Sequence, residues 1–214
     1  MTSAAPKVDL SPVPITDRPV SRLARLVVGL ALYGTSMAFM VRAGIGLNPW
    51  DVLHQGLARL LGWSFGAVTA LTGVGVLLMW WPLRQKPGIG TVANVVVIAV
   101  VVDIALALTP AATALVWQIP LLIIAVVLNG FATALYVGAR LGPGPRDGLM
   151  TGLHARTGLS VRVVRAAIEV AVLAAGWLLG GTVGVGTVVY ALAIGPLTQL
   201  FLPLVVVREK KDLP

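Results

Sequence analysis

The sequence predicts an all-α integral membrane protein of six transmembrane helices, arranged as two inverted three-helix repeats. Each repeat carries a short re-entrant or interfacial helix after its first crossing, and both termini lie inside. Three observations predict this. Of the 214 residues, 57% are hydrophobic and only 11% charged, with a mean hydropathy of +0.93; soluble domains are about 25% charged. Apolar runs of roughly 18–20 residues recur, each long enough to cross a hydrocarbon core about 30 Å thick at 1.5 Å per residue. And one motif occurs twice in a single gapless register.

The motif is Gly44-Ile45-Gly46-Leu47-Asn48-Pro49-Trp50-Asp51-Val52-Leu53, and its second copy is Arg140-Leu141-Gly142-Pro143-Gly144-Pro145-Arg146-Asp147-Gly148-Leu149. Asp147 lies 96 residues after Asp51, and the same offset sets Gly34 on Gly130, Gly46 on Gly142 and Pro49 on Pro145. It continues through Gly56-Leu57 on Gly152-Leu153, Gly62 on Gly158 and Ser64 on Ser160, as far as Gly88-Ile89-Gly90-Thr91 on Gly184-Val185-Gly186-Thr187. A register held over several separated motifs marks two halves built to one plan.

Taken in order, residues 1–21 hold four prolines among scattered charges and read as a disordered cytoplasmic tail. Residues 22–109 form the first repeat. Its first crossing is expected over 23–41. Asp51 then serves as N-cap for a short helix over 51–61, too short to span, with Val52, Leu53, Leu57, Leu60 and Leu61 opposite His54, Gln55 and Arg59. Crossings follow over 65–81 and 91–108, with Trp80 and Trp81 suited to a membrane interface. Residues 110–207 repeat the order: a crossing over 117–137, a short helix over 147–157, and crossings over 163–179 and 187–207. Pro196 and Pro203 should kink the last of these. Residues 208–214 are a charged cytoplasmic tail.

Orientation comes from the cations. With the N-terminus inside, the two tails and the loops on their side carry 14 of the 16 Lys and Arg, leaving Arg42 and Arg59 outside. Three crossings per repeat is an odd number. The copies therefore enter from opposite sides, and transporters of this layout bind their substrates at the repeat interface near the midplane. The basic excess of +8 is read as this topological signal and not as nucleic-acid binding.

The residues expected to line a pathway are Asn48, Asp51, Arg146 and Asp147. Two readings of the short helices stand side by side: a re-entrant pair whose N-terminal ends face a cavity, or flat interfacial helices for which the aspartates are only caps. Arg146 takes the place of Trp50, so the site is asymmetric and its cationic side suits an anionic group. Asp103 and Glu169 are candidates for coupling, since a carboxylate inside a membrane is costly without a task or a partner. Glu169 also lies one turn after Arg165, which fits an ion pair. Asn94 and Asn129 fit either a cavity wall or glue between helices. The chain has no cysteine, and its two histidines do not align between the copies. No metal site, cofactor or enzymatic constellation is expected.

These motifs, with Leu32-Tyr33-Gly34-Thr35-Ser36 before the first copy and His54-Gln55-Gly56 after it, resemble the YczE/YyaS/YitT group of bacterial integral membrane proteins, in its YczE-like branch. The resemblance spans roughly residues 20–207. It implies a multi-pass protein of the bacterial plasma (inner) membrane and carries over no activity residue by residue. The first functional expectation is a small-molecule secondary transporter or channel, its substrate a small molecule or ion. The alternative is a non-transporting accessory subunit that docks a partner membrane protein. The expected surroundings are the lipid bilayer and a homo-oligomer or partner membrane protein, with no nucleic acid.

Overall fold

A computed structural model describes residues 16–207, and among these every regular element is a helix. Eight helices follow one another: α1 (Pro19–Ala43), α2 (Pro49–Leu61), α3 (Phe65–Leu83), α4 (Ile89–Leu108), α5 (Leu115–Gly138), α6 (Pro145–Thr157), α7 (Val161–Leu178) and α8 (Val185–Val205). The expected tails lie outside the described residues, apart from 16–21, of which 19–21 open α1.

Local chemistry explains where the elements start and stop. Ser64 and Ser160 cap α3 and α7, accepting from the backbone N–H of Ala67 at 3.1 Å and of Val163 at 3.3 Å. Pro49 and Pro145 open α2 and α6, where a missing N–H costs nothing. The cap of α2 is therefore Asn48 and not Asp51. Proline at the first helical position starts the helix two residues early, and both aspartates fall in the first turn.

Five helices are long and apolar enough to cross a membrane: α1, α3, α4, α5 and α8. The expected fifth crossing, α7, has 18 residues but is not among them, because it carries Arg162, Arg165 and Glu169.

α1 and α5 pack against each other at the centre, with α4 on α1 and α8 on α5. Polar glue joins this centre. The Asn129 amide donates to Ser36 Oγ at 2.7 Å, and Tyr190 OH donates to Asn129 Oδ1 at 3.0 Å. Fully buried, Asn129 ties three helices together.

The short helices cross to the other half: α2 packs on α7, and α6 packs on α3. Trp80 is the clearest anchor. Gly148 presents no Cβ, so the indole packs directly over it and donates from Nε1 to the Pro145 carbonyl at 2.9 Å. Trp80 is 2% exposed whereas Trp81 is 88% exposed, so only Trp81 sits at the surface as expected of both.

Candidate functional site between the two halves

The two motif loops reach into the opposite half and pair with the glycine-rich starts of its last helix. The Gly186 N–H donates to the Ile45 carbonyl at 2.9 Å, and at the equivalent positions of the other copy the Gly90 N–H donates to the Leu141 carbonyl at 3.0 Å. Gly46 and Gly142 hold matching φ values of +126° and +123°. A Cβ on Gly46 would stand 2.8 Å from the Thr187 nitrogen, and one on Gly142 would stand 3.1 Å from the Gly88 Cα. Only glycine combines this backbone conformation with this approach. The recurring Gly-x-Gly-Thr segments are the receptors for the recurring motif loops.

This pairing aims α2 and α6 inward. In α2 burial changes along the axis, with the first two turns largely covered and the last turn exposed, whereas in α6 the last turn is exposed too but the buried Pro145, Gly148, Leu149 and Gly152 lie on one face. Lying flat on a surface, α2 would instead show one covered side. The expected apolar face of α2 is accordingly displaced. Leu60 is 66% exposed at the outer end, while His54, expected on the polar side, is 1% exposed near the inner end.

The N-terminal ends meet at a cavity of about 670 Å³. Asn48, Trp50, Arg146, Asp147 and Glu169 line it, with Asn94, three tyrosines and the side of α8 that carries Thr198 and Gln199. The guanidinium of Arg146 lies over the Trp50 ring, 4.8 Å from its centroid. These two residues occupy equivalent positions in the two motifs, so the copies touch each other at the cavity. Such a contact stabilises by about 0.5–2 kcal/mol, more when water is excluded. Arg146 also donates to Tyr33 OH at 3.5 Å, and Tyr33 meets Tyr136 edge to face at 6.0 Å.

The other expected residues fall in three places. Asp51 lies fully buried behind the wall. It accepts from Asn48 Nδ2 at 2.5 Å, and its own N–H donates to Asn48 Oδ1 at 3.0 Å. Its second oxygen faces His54 Nδ1 at 3.3 Å, and Thr69 Oγ1 lies 3.3 Å from the same nitrogen. Asp147 Oδ2 accepts from the Gly144 N–H at 3.3 Å and stays on the wall. Glu169 accepts from Arg165 Nε at 2.8 Å, and both border the cavity.

Asp103 sits elsewhere. It accepts from Ser64 Oγ at 2.6 Å and from the Gly66 N–H at 2.7 Å, fastening α4 to the start of α3. A Cβ on Gly66 would run into the Ala99 carbonyl, so the two helices touch backbone to backbone. The counterparts are Arg162 for Gly66 and Gln199 for Asp103. There the fastening is absent: α3 packs along α4, but α7 and α8 make at most a glancing contact, and the cavity extends between them. Sequence reasoning missed the tyrosines and this one-sided opening. The Gly66/Arg162 mismatch is the signal that could have found the opening.

Comparison with known proteins places the sequence. A family of unknown function, DUF6198, matches residues 20–203. The chain belongs to this family. Among its relatives, an uncharacterized protein of Haemophilus influenzae is 41% identical over 180 residues, covering 84% of this chain and 83% of the relative. The uncharacterized membrane protein YczE of Bacillus subtilis is 34% identical over 174 residues, 80% of each chain. The B. subtilis protein YyaS is 24% identical over 182 residues, covering 83% of this chain and 90% of that one. No solved structure matches. The family match, the relative described as a membrane protein and the five long apolar helices make this a membrane protein of the YczE-like group.

Proposed function

We propose that the chain is a small secondary transporter or channel of the bacterial plasma membrane, with its pathway between two inverted repeats. In this reading α7 is the sixth crossing. Its charged first half faces the cavity and the inner surface, and its apolar second half completes the span. The short helices are re-entrant. Both termini lie on the cytoplasmic side, a placement that the distribution of Lys and Arg supports.

One observation carries the reading. The inner ends of α2 and α6 meet at a cavity whose largely apolar wall carries Asn48, Arg146, Asp147 and Glu169, with Trp50 against Arg146. Half-helices that point their N-terminal ends at a site between repeats are a recurring device of transporters. An accessory subunit needs no such convergence and no cavity.

The test uses the absence of native cysteine. Asn94→Cys and Thr198→Cys place thiols on the cavity wall, to be labelled from each face of membrane vesicles with an impermeant reagent. Labelling from one face that a small solute slows is the expected result. If neither thiol reacts from either face, the cavity is sealed, the pathway reading is withdrawn and the accessory-subunit reading takes its place.

A further inference from the structure

Three contacts decide where the buried imidazole of His54 carries its hydrogen. Thr69 Oγ1 donates its one hydrogen to the Phe65 carbonyl at 2.8 Å. Toward His54 Nδ1, 3.3 Å away, it can therefore only accept. The other neighbour of Nδ1 is Asp51 Oδ1, also at 3.3 Å. Asp51 is held as an anion: its second oxygen accepts from Asn48 Nδ2, and it lies in the first turn of α2, where the helix end favours negative charge. With acceptors on both sides, Nδ1 bears the hydrogen and Nε2 keeps a lone pair. Phe65 packs on the ring edge to face at 5.8 Å.

Nε2 has no hydrogen-bond partner and is not sealed off. Among the described residues, the fully buried side-chain nitrogen and oxygen atoms without a partner are Arg42 Nε and Asp51 Oδ1, and His54 lines the cavity. The neutral ring thus leaves a lone pair toward the cavity and, behind it, a buried carboxylate oxygen that receives no hydrogen bond. One added proton answers both. It bonds to Nε2, and the charge spreads over a ring that stands 3.3 Å from Asp51 Oδ1. Other charges leave this pairing intact. Helix α3 brings none to the ring, and on α7 Arg165 and Glu169 pair with each other while Arg162 is exposed. Arg146 of α6 opposes the added charge and lies over Trp50.

The second half is built differently. The positions equivalent to His54 and Thr69 hold Met150 and Arg165, and Arg165 acts electrostatically on Asp147. One motif carboxylate has a permanent cation in reach; the other has a cation that exists only while a proton is bound.

We propose that His54 is a proton-binding site of the cavity: Nε2 takes up a proton from the cavity side, Nδ1 keeps its own, and Asp51 holds the imidazolium. The proposal deepens the transporter reading by naming the proton as its coupling ion. It rests on that reading only for the coupling.

The full chain, carrying isotope-labelled histidine, is followed by nitrogen NMR in lipid nanodiscs from about pH 8 to pH 5. His154→Gln leaves His54 as its one histidine. The expected result is the Nδ1–H tautomer at the upper end and, on acidification, an imidazolium whose new hydrogen is on Nε2. Asp51→Asn should lower the midpoint by about one pH unit or more. An Nε2–H tautomer, a ring whose charge does not change over this range, or a midpoint indifferent to Asp51→Asn overturns the proposal. Should Asp51→Asn not fold, the tautomer and the titration with native Asp51 decide. Labelling of Asn94→Cys and Thr198→Cys scores the transporter reading separately. A titrating His54 with both thiols silent rejects the pathway and keeps the proton site. Labelled thiols with a His54 that never changes charge reject the proton site and keep the pathway.

Discussion

Gly46 and Gly62 both hold positive φ, but their surroundings differ. A Cβ on Gly62 would meet nothing within 4 Å, whereas one on Gly46 would press on the backbone of Gly184 and Thr187. Gly62→Ala should therefore cost only the left-handed penalty, roughly 1 kcal/mol. Gly46→Ala adds a backbone clash at the junction of the halves and should cost at least about 2 kcal/mol, or prevent folding. Thermal unfolding in detergent compares the two. Equal losses would show that the motif loop does not seat as described. At this scale the sequence is informative about residue types and weaker about roles. Asn48, Asp51 and Asp147 are legible as a cluster because the motif recurs. That Asn48 caps while Asp51 is buried depends on Pro49 starting the helix early and on the chain folding over α2 from the other half.

At the scale of elements, the eight helices lie within a few residues of the apolar runs and Gly/Pro breaks that predict them. The periodicity of α2 misleads, because it assumes that one side faces the core. A helix covered at one end and bare at the other has no side to detect, so Leu60 falls outside and His54 inside. Partnering is equally hidden, since hydrophobic pattern says that a helix is covered without saying by what. The unequal pairs, α3 with α4 and α7 with α8, give the element-scale prediction. Arg162→Gly with Gln199→Asp recreates the Gly66–Asp103 fastening in the second half. It should draw α7 onto α8, narrow the opening and slow thiol labelling of Thr198→Cys several-fold. Unchanged labelling would show that the gap has another cause.

At the scale of the whole molecule, the halves are joined by exchange. The loop over 44–48 is satisfied by the start of α8, the loop over 140–144 by the start of α4, and each short helix rests on a long helix of the other half. Expressed as two separate chains cut near residue 112, the halves should copurify when made together. Either one made alone should be degraded or should aggregate. Recovery of a stable first half by itself would contradict the exchange. Biosynthesis inherits the same constraint. When the ribosome has delivered the first half to the membrane, that half still lacks acceptors and donors for its own loop, and in lipid no water replaces them. It must wait for the second half, whose loops and helix starts supply them.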